Sequence, residues 1–142
     1  MAKSKQAKLS SRPNTQKHVV MSPLEVAREN PLWAFRDFDN AGRWSWSRIG
    51  EPDARKIMQR LKDYEGMTWT AIKQASHCHY VEPSEIHKDA QDRLLFLRKD
   101  ETNSLFSMSI EGKKRIWGIL QEHVLFLLWY DPEHEIYESK KR

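Results

Sequence analysis

Residues 115–139 read RIWGILQEHVLFLLWYDPEHEIYES. Two strand-like runs, 115–120 and the apolar 124–130, are separated only by Gln121-Glu122-His123. A link of about three residues allows a hairpin and leaves no room for a crossover, so the runs pair antiparallel. Residues 124–129 are apolar at every position, which is the pattern of a strand covered on both faces. Upstream, LFSMSI at 105–110 sets Phe106, Met108 and Ile110 on one face and Leu105 on the other. Glu111-Gly112-Lys113 is turn chemistry, so a third strand joins the same meander. Asp131-Pro132 ends it, because proline brings no N–H to a ladder. Ile136-Tyr137 reads as a short fourth, edge-like element.

Helices are expected before the meander. Gly50-Glu51-Pro52-Asp53 opens one, with proline and acids in the first turn. Ile57, Leu61 and Tyr64 recur at helical spacing, and Gly66 suits its end. Thr68 caps a shorter helix that turns Trp69 and Ile72 inward. His77-Cys78-His79-Tyr80 reads as an extended or loop segment. SEIHKDAQDRLLFLRK, residues 84–99, is the clearest helix, with Ile86, Ala90, Leu94 and Leu97 on one stripe. Nearer the start, Pro31 closes any short helix, and LWAFRDF at 32–38 is a strand candidate. RWSWSRI at 43–49 alternates Trp44 and Trp46 with Ser45 and Ser47, so a hairpin over 32–49 is expected. The fold class is α+β: helices packed on one face of a small twisted antiparallel sheet, a C-terminal meander of three to four strands.

The chain has 142 residues, enough for one domain with a core. Six tryptophans argue against disorder for its bulk. The division expected is a disordered basic lead-in at 1–20, a single α+β domain at 21–139 and a basic tail at 140–142. Of 24 Lys and Arg, five lie in residues 1–19 without an acid and three in 140–142. The sixteen that remain face 20 acids, so the body is at −4 although the whole chain is at +4. Basic tails add sequence-independent affinity for RNA or DNA by counterion release, or serve as solvated ends. No apolar run approaches the ~18 residues of a membrane span, and the N-terminus lacks a secretory h-region. Cys78 is the single cysteine, which leaves no internal disulfide and no cysteine-based zinc site. A cytoplasmic setting is expected.

Helices followed by this meander resemble the compact toxins of the RelE/ParE superfamily of bacterial toxin–antitoxin systems. The matching pieces are Lys113-Lys114-Arg115-Ile116-Trp117, against an arginine-bearing middle strand, and residues 129–137, against a last strand ending in His or Arg and Tyr. The likeness spans about residues 53–138. The chain also resembles uncharacterised small bacterial and phage-borne proteins with a "MTW" segment and an "RIWGI…LLWWDPEHEV" ending, here Met67-Thr68-Trp69 and the strands above. The toxin resemblance implies a metal-independent endoribonuclease, with an antitoxin protein and mRNA or the ribosome as partners and no small-molecule cofactor. Such enzymes drive the ribose 2′-OH onto the adjacent phosphate, which needs a base, a cation on the phosphorane and an acid for the leaving oxygen. Carried over, Arg115 is the phosphate clamp, Lys113 and Lys114 assist it, His134 is the acid or base, and Tyr137 stacks on a base or donates to the phosphate.

Each residue has a structural reading beside this one. Arg115 is a strand-edge charge paired with an acid, Lys113 and Lys114 serve the turn, and Tyr137 plugs the sheet edge. His134 lies between Glu133 and Glu135, which would raise its pKa and hold it cationic. A non-catalytic interaction protein of the same fold, carried on a mobile element, is therefore the alternative. His77, His79, His87, His134, Asp131 and Glu135 are ligand-type residues without a spaced metal motif, and no metal is expected.

Overall fold

A computed structural model describes residues 20–75 and 77–138. The basic stretches at 1–19 and 140–142 lie outside them. Helix α1 (Pro23–Arg28) starts at a capping box, in which Ser22 and Glu25 each accept from the other's backbone N–H. Strand β1 (Leu32–Ala34), a 3-10 turn (Trp46–Arg48), α2 (Glu51–Glu65), α3 (Trp69–Gln74) and β2 (His79–Val81) follow. A second 3-10 turn (Pro83–Glu85) and α4 (Lys88–Phe96) lead into β3 (Leu105–Glu111), β4 (Lys114–Gln121) and β5 (Val124–Asp131). The architecture is α+β, with a five-stranded sheet in the order β1-β5-β4-β3-β2.

The β3–β4–β5 meander forms in antiparallel register, as its short turns require. Two further strands make the sheet larger than expected, and mixed. β1 lies parallel to β5, with Leu32 opposite Val124 and Ala34 opposite Phe126. β2, expected as an extended or loop segment, pairs antiparallel with β3. The helices cover both faces rather than one. On the first, Ile57, Leu61 and Tyr64 of α2 and Trp69 and Ile72 of α3 meet Phe106, Met108, Ile116, Leu125 and Leu127. On the second, Ala90 and Leu94 of α4 join Trp44, Ile86 and Ile136 over Leu105, Trp117, Leu128 and Trp129. The meander is apolar on both faces, and each large side chain withdrawn from water contributes about 1.5–3 kcal/mol. A single helical layer would leave half of these exposed.

The expected hairpin over 32–49 does not form. Beyond Ala34 the chain crosses the end of β5: the Asp39 N–H donates to Leu128 O and the Tyr130 N–H to Trp44 O, each at 3.0 Å. Ser45 caps a 3-10 turn by accepting from the Ser47 N–H. Trp46 therefore stacks on Phe38 at 4.3 Å on the first face, while Trp44 meets Trp129 at 5.8 Å on the second. Period-2 spacing does not separate this turn from a strand. Helix α4 is also shorter than its apolar stripe suggested. Ile86 is extended, and His87 Nδ1 accepts from the Asp89 N–H to cap a helix starting at Lys88. Ile136 is fully buried in the second core and adds no edge strand.

Asp39 holds these parts together. It is 3% exposed and accepts from Arg93 Nε at 2.8 Å, Arg93 Nη2 at 2.7 Å and Trp129 Nε1 at 2.9 Å. Burial raises its pKa, but the hydrogen bonds from Arg93 and Trp129 outweigh this and hold it below the usual carboxylate value. That stabilisation is complete above the unfolded pKa and is lost as pH falls through the lower folded value. D39N should cost about 3 kcal/mol in urea unfolding at neutral pH, the low end for breaking a buried pair, and should show a flatter acid limb than wild type. Where the β4–β5 register shifts at Leu128, a Cβ on Gly118 would stand 2.5 Å from Phe126 O. G118A should therefore lose about 2 kcal/mol by the same measurement.

Candidate functional site

Arg115 is the second residue of β4 and lies between Ser109 on β3 and Asp131 on β5. Alternation along β4 sends it to the opposite face from Lys114. It is 7% exposed. Its Nη1 donates to Gly112 O at 2.6 Å and Lys114 O at 3.1 Å, folding the side chain over its own hairpin. Nε and Nη2 find no acceptor among the described residues, and no carboxylate there forms an ion pair with it. The strand-edge pairing with an acid is thus not what the structure contains. Burial pushes the guanidinium pKa down, though an arginine stays protonated in any protein setting. A cation held this way is costly to bury.

The strand-ending Asp131 is fully buried and used up by the backbone. Its Oδ1 accepts from the Glu135 N–H and its Oδ2 from the Ile136 N–H, both at 2.9 Å. Burial raises its pKa, and the two N–H groups oppose the rise. These bonds fold residues 132–136 back on the sheet and hold His134 in the left-handed region at φ 61°, a conformation that costs a non-glycine residue about 1 kcal/mol. His134 is half-buried, and its pKa lies below 6.5, first through burial and then through the positive charge of Arg115. Asp131 and Glu138 act in the opposite sense without prevailing.

This reverses the expectation that Glu133 and Glu135 would keep His134 cationic. Both acids are engaged elsewhere: Glu133 pairs with Lys113 at 2.7 Å, and Glu135 pairs with Arg43 at 3.3 Å and accepts from Trp44 Nε1. Spacing along the chain placed them beside His134, whereas the loop turns them away. His134 is therefore neutral near pH 7, the state a general base needs.

The remaining expected residues divide. Tyr137 reaches the same end of the sheet, half-buried against the second core, with its ring edge-on to His79 at 6.1 Å. Lys113 is committed to Glu133 at the surface. Lys114 lies on the other face, on Asp53 at 2.8 Å, where the Tyr130 hydroxyl donates to the same carboxylate at 2.6 Å. It is thus separated from Arg115 by the sheet. In the sequence His77 and His79 read as ligand-type residues. Among the described residues, no group of three or more His, Cys, Asp or Glu is placed to hold a metal ion. What the sequence did not reveal is β2, which pairs His79 with Ser107 and so brings this segment beside the Ser109–Arg115–Asp131 row.

NMR titration of the imidazoles should find the His134 midpoint below 6.5, and R115Q should move it upward. D131A, which strands the Glu135 and Ile136 N–H groups, should lose about 2–3 kcal/mol in urea unfolding. Compared with family models, with curated proteins and with solved structures, the chain returns no match to any of the three.

Proposed function

We propose that this chain is a RelE/ParE-like endoribonuclease that cleaves RNA by attack of the ribose 2′-OH on the adjacent phosphate. The observation that supports it best is a buried arginine in no ion pair with a carboxylate of the described residues, whose positive charge lowers the His134 pKa. In this reading Arg115 binds the non-bridging oxygens and stabilises the charge that grows on them. His134 takes the 2′-OH proton. Tyr137, at the rim, stacks on a neighbouring base. Lys113 joins the site by releasing Glu133, since an exposed ion pair of this kind is worth ~1 kcal/mol or less. Lys114 has no part in it.

The acids that follow β5 are the electrostatic objection to phosphate binding here. Their disposition meets part of it: Glu133 and Glu135 are each matched by a cation, and both Asp131 oxygens are occupied by N–H groups. mRNA, free or on the ribosome, is the proposed substrate, with an antitoxin protein as the proposed partner and the cytoplasm as the site of action. The second reading is a non-catalytic interaction protein. It draws on an apolar groove of about 310 Å³ between Phe35, Phe38 and Trp46 and the Met58 side of α2, where Phe35 is 57% and Met58 66% exposed.

Induced expression in a bacterial host should arrest growth and degrade mRNA. R115A should be harmless and at least ~100-fold slower on RNA in vitro, the scale for losing one donor to a developing anion. Cleavage should persist in EDTA and fail on DNA and on 2′-O-methyl RNA, which lack the nucleophile. Full tolerance of the wild-type protein, with intact RNA, would favour the interaction reading.

A further inference from the structure

We propose that the groove between Phe35 and α2 is a base-stacking platform for single-stranded RNA, whose phosphates pass over Met58 onto a basic stripe of the same helix. The inference rests on the nuclease reading for the kind of strand it takes. Phe35 lies outside the stretch that resembles the toxins, so that resemblance gives it no role.

The platform begins with three rings. Phe35 stacks on Phe38 with centroids 4.9 Å and planes 17° apart, and Phe38 stacks on Trp46 at 4.3 Å and 3°. Elsewhere among the described residues the rings meet edge-on or tilted, as in Trp33 on Trp69 at 76°, Trp69 on Phe106 at 90° and Trp44 on Trp129 at 52°. Phe38 has a ring on each of its faces, whereas Phe35 has one. Among the described residues no second ring or cation covers Phe35, which is 57% exposed. The column therefore ends in an open face aligned for one more planar ring. A nucleobase supplies such a ring whatever its sequence.

The charges lie next to it. Phe35, Phe38 and Trp46 line one side of the groove, and Ile57, Met58 and Leu61 of α2 line the other. Met58 also borders a second hollow, of about 520 Å³, lined by Arg55, Lys56, Gln59 and Lys62. Arg55, Met58, Gln59 and Lys62 follow each other at helical spacing on one stripe. Among the described residues that hollow is lined by three cations and no carboxylate. Arg55 is paired with Glu51 and Lys56 with Glu111, but both pairs are exposed and open at little cost. Gln59 donates to Asp63 at 2.9 Å, and Lys62 forms no ion pair with a described residue. An aromatic face beside a track of cations is what a strand of stacked bases and phosphates requires. Binding there involves neither Arg115 nor His134, so it is separable from cleavage.

The test uses the full chain and a fluorescein-labelled 2′-O-methyl oligoadenylate, which has no free 2′-hydroxyl and stays intact, read by anisotropy. F35L keeps an apolar side chain but removes the ring. It should weaken binding ~5-fold or more, the lower end for one stacked base, whereas F35W should bind as the wild type does. On a matched strand with abasic positions, F35L and wild type should bind alike. K62Q should lower the slope of log affinity against log salt by about 0.7, the value for one phosphate of a single strand. All three variants should keep the wild-type thermal midpoint. If F35L binds the intact strand as tightly as wild type, weakens intact and abasic strands equally, or K62Q keeps the wild-type slope, the platform is wrong, and the nuclease reading stands or falls on cleavage alone. If the wild type binds no strand, the platform is likewise wrong. Phe35-dependent binding of an acidic peptide bearing one tryptophan would then assign the groove to a protein partner.

Discussion

The fold depends on one buried carboxylate. Asp39 is too deeply placed to be solvated and survives as an anion because Arg93 grips both of its oxygens and the Trp129 indole donates to one of them. Through these bonds the long loop after β1, helix α4 and strand β5 are fixed to a common point. The loop then supplies Trp44 to one core and Trp46 to the other. A buried pair has a desolvation cost that can exceed its attraction, so its value here is in specifying where three separate elements meet. Gly42 belongs to the same arrangement, since a Cβ there would stand 2.8 Å from Arg93 Nε.

Asp131 does similar work at the other end of β5. It is an acid by charge and a loop organiser by use, with each oxygen closed on a backbone N–H. Ending the strand this way reverses the chain over Arg115 and sends Glu133 and Glu135 outward to Lys113 and Arg43. The acidic residues after β5 therefore form both a structural cap and the frame that holds His134 near a cation. Burial and that cation together lower the imidazole pKa, and nearby carboxylates do not restore it. The charge state of His134 is a property of the packed loop rather than of its neighbours in sequence.

The parts of this molecule that were legible beforehand are those governed by local rules. The meander could be read because its turns are too short for any connection but a hairpin. Helix α2 and the inward faces of α3 could be read because Ile57, Leu61, Tyr64, Trp69 and Ile72 keep helical spacing. Strand β1 was foreseen, but not its parallel partner, because pairing between residues 32–34 and 124–126 leaves no local trace. Trp44 and Trp46 misled for a related reason: alternation describes a strand only when a ladder partner exists, and here a serine-capped turn takes its place. Of the candidate residues, Arg115 acts electrostatically on His134, and Tyr137 packs on the second core beside His79. Lys114 lies on the other face, on Asp53.

The sequence by itself determined the α+β class, the antiparallel order of the last three strands and the place where the apolar run must stop. Those outcomes follow from side-chain period, turn length and the missing N–H of Pro132, all of which act within a few residues. Tertiary structure alone decided that helices cover both faces, that β1 and β2 complete the sheet, and that Arg115 and Lys114 part to opposite faces of it. These depend on contacts between residues far apart in the chain, such as Val81 with Leu105 and Leu32 with Val124, where burial and hydrogen-bond closure choose among arrangements that local spacing leaves equal. The stretch 115–139 carries both kinds of information. Its strands are written in its pattern, and the orientation of its acids and its histidine is set by what packs against it.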